Sequence, residues 1–335
     1  MCRLVDETHE HNKVKNMSKT KWVYIGCGSI AAKTADSILN GEHEIVAVYS
    51  RNFEKAQKFA KEHGAAAYKT SKDAIEHSGA DAVYIATPHT SHKQYAMEAL
   101  NSKMPVLCEK PMGITQADVK ELIECAERNN TYLAEAMWTW FSDVAITVKK
   151  WVQSGEIGEI LSASIYFQFP GLLKPKDSRV RLPETAGGAL LDVGIYPITY
   201  CYNLFGYPDK IECKGKITGG IDVSEDITLT YGNLKCDLHS GLKGLREDCT
   251  IVGTKGTIKL PAFFHMSNKA ILQNEKGKCV FKGTTDYLTE FTRAAEEMKS
   301  GLKESGYVPL SATLDCMKIM DECRRQMKLI YPFEK

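Results

Sequence analysis

"WVYIGCGSIAAKTADSIL", residues 22–39, passes from an apolar, aromatic and β-branched run into two glycines and then into a helix-like pattern. A strand that ends on small residues and feeds a helix is the opening of a parallel strand–helix–strand unit. Gly26 to Ala31 spell GxGxxA. In that context small residues allow a tight turn and a close approach of backbone to pyrophosphate, with the following helix N-terminus facing the anion. Gly26, Gly28, Ser29, Ile30 and Ala31 are therefore candidate dinucleotide contacts.

Outward from this turn the alternation continues. "EIVAVYS" (44–50), "DAVYIATP" (81–88), "PVLCEKP" (105–111) and "TYLAEAMW" (131–138) read as buried strands separated by helical stretches. Runs that are apolar throughout suit a sheet covered on both faces. After about residue 141 the character changes. One helix ("SDVAITVKKWVQSG", 142–155) is followed by "GEILSASIYFQF" (158–169), "KIECKGKITG" (210–219), "DITLTYGNLKCDLHSG" (226–241), "DCTIVGTKGTIKLP" (248–261) and "HMSNKAILQN" (265–274), and then by helices near 287–300 and 310–329. Gly and Asn turns between such runs predict antiparallel strands. The expected fold is an α/β Rossmann domain over 20–140 and an α+β domain over 141–335 with a large, mainly antiparallel open sheet. The last helix is expected to return to the first domain.

A chain of 335 residues exceeds what one core usually serves, which agrees with two units. Lys plus Arg (43) nearly cancels Asp plus Glu (42), so no overall field favours nucleic acid. The 11 cysteines form no CxxC pair, which argues against a disulfide framework or a zinc knuckle. No apolar run approaches the roughly 18 residues of a membrane span, and residues 1–19 read as a polar tail without a secretory signal, with Met17 an alternative start. The expectation is a cytoplasmic protein without metal, membrane or nucleic-acid partner.

The second strand should end beside an adenosine ribose, where an acid would bind the NAD 2′-hydroxyl. Ser50 and Arg51 stand there instead. A guanidinium fits a 2′-phosphate, so the expected cofactor is NADP rather than NAD. "CEKP" (108–111) ends a buried strand at the carboxyl edge of the sheet, which aims Lys110 at the ligand crevice. The following proline disfavours helical geometry at Lys110.

Six motifs together resemble the Gfo/Idh/MocA oxidoreductase family: the GxGxxA turn, "EKP", "TPHTSH" (87–92), "EAMWTWF" (135–141), "GGALLDVGIY" (187–196) and "IYPFE" (330–334). Within it the chain is most similar to the dihydrodiol dehydrogenase and D-xylose dehydrogenase branch. The resemblance implies hydride transfer between nicotinamide and a hydroxyl of a small polyol, aldose or trans-dihydrodiol. The same residues serve a sugar-carbonyl reductase, and the family also holds a regulator that binds dinucleotide without turnover.

The resemblance assigns catalysis to Lys110, Asp192 and Tyr196. It places Thr87, Pro88, His89, His92 and Glu109 around the cofactor. Trp138 and Phe141 would wall the substrate pocket. Asp192 and Tyr196, four apart, would share one helical face, with the glycines before them letting that helix approach the cofactor. Lys110 would lower the Tyr196 pKa or bind the developing alkoxide, with Asp192 orienting the substrate or tuning the lysine. Relatives often carry arginine where this chain has Trp140; Arg179 or Arg181 could substitute, although their polar stretch reads more simply as a solvated loop. A homodimer through the second sheet is expected, because runs such as "ASIYFQF" (163–169) carry apolar residues on both faces.

Overall fold

The structure, a computed structural model, describes residues 19–39 and 41–334. Of the expected tail only Lys19 is among them, and Met17 lies outside. From Thr20 the chain alternates: β1 (Thr20–Ile25), α1 (Ser29–Ile38), β2 (His43–Tyr49), α2 (Phe53–His63), β3 (Ala66–Tyr68), α3 (Ser71–His77), β4 (Ala82–Ile85), α4 (His92–Asn101), β5 (Val106–Glu109), α5 (Gln116–Asn129) and β6 (Leu133–Ala136). The six strands form one parallel sheet in the order β3-β2-β1-β4-β5-β6. β1, β4, β5 and β6 are buried almost throughout, which is why their sequences read as apolar runs. Strand order reverses between β1 and β4, the point at which such sheets open a ligand crevice beyond their carboxyl ends. Gly26 closes that point: its φ is +106°, and a Cβ there would lie 2.5 Å from the Ala86 carbonyl oxygen.

α6 (Asp143–Gln153) leads to the second sheet, built from β7 (Ile160–Gln168), then, after α7 (Ile195–Phe205), β8 (Lys210–Thr218), β9 (Ile221–Tyr231), β10 (Leu234–Gly241), β11 (Arg246–Gly253), β12 (Gly256–Leu260), β13 (Lys269–Asn274) and β14 (Gly277–Lys282). Its order is β14-β13-β12-β11-β7-β10-β9-β8. Neighbours run antiparallel except β7 and β10, which pair in parallel because the long connection through α7 returns the chain in the same direction. In β7 the buried side chains are Ala163, Ile165 and Phe167, while Ser162, Ser164, Tyr166 and Gln168 turn the other way. The expectation of two apolar faces is thus corrected: the outward face is largely polar.

α8 (Tyr287–Lys299) and α9 (Leu310–Met327) end the chain. α8 lies on the first sheet, where Phe291 is fully buried with ring centroids 4.9 Å from both Trp22 and Tyr84. α9 joins both halves: Asp321 accepts from the Gln116 N–H at 2.7 Å, and Gln326 from the Cys213 N–H at 2.7 Å. Among the described residues ten cysteines are free thiols, and no helix is long and apolar enough to cross a membrane.

Candidate active site

A cleft of two lobes, ≈ 280 and ≈ 230 Å³, opens beyond the carboxyl ends of β1, β4 and β5, and the lobes share Ser29, Ile30, Thr87 and Arg179. The outer lobe is the phosphate turn. Gly28 caps α1 with no side-chain hydrogen bond, and the first turn carries no acid, so the helix N-terminus presents free N–H groups to the cleft. A Cβ on Gly28 would meet nothing within 4 Å, which leaves open space for a ligand to reach the backbone. Ala31 lines neither lobe; it is fully buried and sets α1 against the sheet. At the far end Ser50 and Arg51 line the lobe with Lys55 and Tyr95. None of its described lining residues is acidic. Lys55 went unread in the sequence, although it stands one helical turn beyond Arg51, and Lys33 in the inner lobe was also missed.

The inner lobe gathers the titratable groups. Lys110, joined to Pro111 by a cis peptide bond, donates to the Asp192 backbone carbonyl at 2.5 Å and lies 3.6 Å from Asp192 Oδ1. Arg179 Nη2 donates to the same Oδ1 at 2.8 Å, and its Nη1 meets His89 Nε2 at 3.2 Å. Burial alone would push the Asp192 carboxyl up; the Arg179 guanidinium and the Lys110 ammonium overcome it and hold the acid ionised, well below the ordinary carboxylate range. Burial lowers the Lys110 pKa, and the Asp192 charge offsets only part of that effect. Arg179, read from sequence as a loop residue, is therefore a site residue, drawn in by an acid 13 positions away. Arg181 remains on the loop, donating to the Leu172 and Lys174 carbonyls.

Tyr196 is placed differently from expectation. Its hydroxyl accepts from Trp138 Nε1 at 3.2 Å, and the Lys110 ammonium lies over its ring, 4.7 Å from the centroid, rather than at its oxygen. Burial pushes the phenol up from its usual value, so the expected lowering by Lys110 is corrected. His265 and Phe167 pack on the same ring, at 5.2 and 5.4 Å, and Glu247 holds His265 through a 2.6 Å contact to Nδ1. That aromatic wall was not legible, because its members are distant in sequence.

The segment carrying Asp192 is also not the regular helix that four-residue spacing suggests. Leu190–Gly194 form a π-helical turn that runs directly into α7. The glycines before it do not make room for a cofactor. A Cβ on Gly187 would strike the Arg179 and Leu182 carbonyl oxygens at 2.6 and 2.7 Å, and one on Gly188, at φ +126°, would lie 1.9 Å from Asp222 Oδ1. Tyr331, from the "IYPFE" ending, is fully buried and donates to the Gly187 carbonyl at 3.3 Å.

The remaining assignments separate cleanly. Thr87, Pro88, His89, His92, Glu109 and Trp138 line the cleft. Glu109 accepts from the Tyr84 hydroxyl at 2.6 Å, and burial raises its pKa. His89 is held neutral, first by burial and then by Arg179. His92 is a cross-tie, its two ring nitrogens each 2.8 Å from a backbone carbonyl, Pro111 on one side and Thr87 on the other. Phe141 does not line the cleft: it is fully buried against Tyr307. Trp140 likewise turns away, stacking on Tyr202 with ring centroids 6.3 Å apart.

Comparison with known proteins agrees with this architecture. The oxidoreductase family, NAD-binding Rossmann fold model of Gfo/Idh/MocA matches residues 20–136, and the C-terminal domain model of the same family matches 145–259. The chain is 30% identical over 310 residues to trans-1,2-dihydrobenzene-1,2-diol dehydrogenase of Danio rerio, covering 87% of this chain and 90% of that one. To the enzyme of the same name in Mus musculus it is 29% identical, covering 94% and 99%. Among solved structures it is similar to a 3-ketoreductase from Actinomadura kijaniata in complex with NADP and TDP-benzene (TM-score 0.81, 21% identity, 92% and 98% covered). It is also similar to an aldose-aldose oxidoreductase from Caulobacter crescentus complexed with glycerol (TM-score 0.83, 19% identity, 92% and 98% covered). Family models over both halves and a relative matched along nearly its whole length place the chain in the Gfo/Idh/MocA oxidoreductase family.

Proposed function

We propose that this oxidoreductase is an NADP-dependent dehydrogenase acting on a secondary or anomeric hydroxyl of a small polyol, aldose or trans-dihydrodiol. The observation that carries the reading is the convergence of Lys110, Asp192 and Tyr196 at the inner end of a cleft whose outer end presents Arg51 and Lys55. Relatives named dihydrodiol dehydrogenases and a structural neighbour solved with NADP support it.

The residues fit the dinucleotide. The uncapped α1 N-terminus and the backbone at Gly28 would hold the pyrophosphate, with Arg51 and Lys55 toward a 2′-phosphate. When bound, the cofactor supplies the hydride acceptor or donor. Lys110, lowered by burial yet paired with Asp192, is suited to take the hydroxyl proton during oxidation. Tyr196 stays protonated through burial, so its hydroxyl is suited to donate a hydrogen bond to the substrate oxygen while Lys110 moves the proton in either direction. The Asp192 charge, which favours the protonated form of Lys110, supports a second reading in which that ammonium delivers the proton as a sugar carbonyl is reduced. Asp192 fixes Lys110, and Trp138 fixes the Tyr196 hydroxyl. The buried free thiols suit a reducing, cytoplasmic setting. A homodimer through the polar outer face of the second sheet belongs to the same proposal.

The deciding experiment follows absorbance of reduced nicotinamide with NADP or NAD against D-xylose, D-glucose, inositol and trans-dihydrodiols, for the protein and for Tyr196→Phe. Turnover with NADP that collapses in the variant supports the dehydrogenase. Cofactor-dependent thermal stabilisation without turnover in either direction would make the chain a dinucleotide sensor.

A further inference from the structure

We propose that Asp222 and Glu225, two buried acids of β9, share a single proton and together act as the positioning device for the π-turn that carries Asp192. The proposal rests on the reading of Asp192 as a working residue of the site. Both acids are effectively sealed from solvent, at 0% and 1% exposure. The turn hangs on the first of them: the Leu190 N–H donates to Asp222 Oδ2 at 2.6 Å, and the Ala189 N–H to the Asp222 backbone carbonyl at 3.0 Å. Glu225 is anchored from the neighbouring strand, where the Ser240 hydroxyl donates to its Oε1.

Each acid keeps one buried oxygen, Asp222 Oδ1 and Glu225 Oε2, that no donor among the described residues reaches, and burial together with the charge of Asp222 pushes the Glu225 carboxyl up. Two carboxylates have no hydrogen to offer and would leave both of these sealed oxygens unpaired, whereas one retained proton supplies the missing O–H donor. The described groups that face the pair are a hydroxyl, two thiols and a phenol. Ser240 comes from β10, Cys213 from β8, Cys323 from α9, and Tyr331 from the chain end. Arg324, over the Tyr331 ring, is engaged by Glu334. The Arg324 charge is thus met by Glu334, and none of these described neighbours brings an unmatched positive charge, so the singly protonated pair is the state the site accommodates.

The turn is cut to fit this pair. A Cβ on Gly188 would collide with Asp222 Oδ1, and one on Gly194 would lie 2.7 Å from Glu225 Oε1 and 2.8 Å from Ser240 Oγ. The glycines on either side of Asp192 leave the space that the two acids fill. Because the Asp192 carbonyl receives the Lys110 ammonium, a shift of the turn moves both halves of the ion pair.

The test uses Glu225→Gln, which keeps a neutral donor toward Asp222 and an acceptor for Ser240, and Glu225→Leu, which keeps neither. In the infrared difference between the protein and E225Q at neutral pH, a protonated-carboxyl C=O band that shifts in D2O is expected in the unsubstituted protein. E225Q should hold kcat within about threefold, whereas E225L should lose about 10- to 100-fold with NADP affinity unchanged, as for groups that orient a working residue. Should E225L not fold, Ser240→Ala takes its place and a smaller kcat loss is expected. Absence of the band, E225Q as impaired as E225L, or full kcat in both E225L and S240A would overturn the proposal. The infrared arm needs no turnover, so it decides proton sharing even if Tyr196→Phe shows the catalytic reading to be wrong.

Discussion

Replacing Arg51 by alanine should weaken NADP without touching NAD. Arg51 and Lys55 line the outer lobe together, and no acid stands among its described lining residues, so both cations are available to a 2′-phosphate. A hydrogen bond between charged partners contributes about 1.5–3 kcal/mol. Because 1.4 kcal/mol is a factor of ten, removing the guanidinium should raise the NADP Kd about 10- to 100-fold. The lower end is expected here, since Lys55 remains and the lobe is open to water. Adding Lys55→Ala should extend the loss, and raising salt should shrink the difference between protein and variant. NAD has no 2′-phosphate, and the α1 N-terminus that would hold its pyrophosphate is untouched, so its Kd should stay within about twofold. Quenching of intrinsic fluorescence, titrated with each cofactor, reads both constants. An equal fall for NADP and NAD, or no fall for either, would refute the placement of the 2′-phosphate at Arg51.

Three further outcomes follow from the inner lobe and its surroundings. Tyr196→Phe should lower kcat about 10²- to 10³-fold, the range for a lost hydrogen-bond donor to the reacting oxygen, while cofactor Kd stays constant in the same fluorescence titration. Asp192→Asn removes the charge that partly restores Lys110 against burial, so the limb of the kcat/KM profile governed by Lys110 deprotonation should move to lower pH. Glu135 is buried, accepts from the Met112 N–H and the Thr313 hydroxyl, and burial pushes its carboxyl up to about 7. Between about pH 4.3 and 7 the folded protein then holds a proton that the unfolded chain releases, so stability falls as pH rises by up to about 1.4 kcal/mol per unit. Thermal melts of Glu135→Gln should lack that slope; identical slopes would remove Glu135 as its source.

The phosphate turn was legible because its requirement is local: Gly26 must adopt a positive φ against Ala86, and no other residue type does so without cost. The parallel strands and the cleft beyond their carboxyl ends follow from the same alternation of runs, while the strand order is visible only in the structure. What the sequence hid is long-range. Arg179 looked solvated because its partners, Asp192 and His89, lie 13 and 90 positions away. The four-residue spacing of Asp192 and Tyr196 reads as an ordinary helix, and the π-turn becomes visible only with Asp222 beneath it. Phe141 and Trp138 are equivalent in pattern, yet one packs inward and the other meets Tyr196, a difference set by which side of a short turn each occupies.

Phe291 reaches back across more than 200 residues to complete the aromatic layer of Trp22 and Tyr84. During synthesis the nucleotide-binding sheet therefore leaves the ribosome with that layer uncovered, and it stays so until nearly the whole chain has been made. A fragment ending near residue 140 would lack Phe291 and leave that layer without its cover, although the two halves read as separate in pattern.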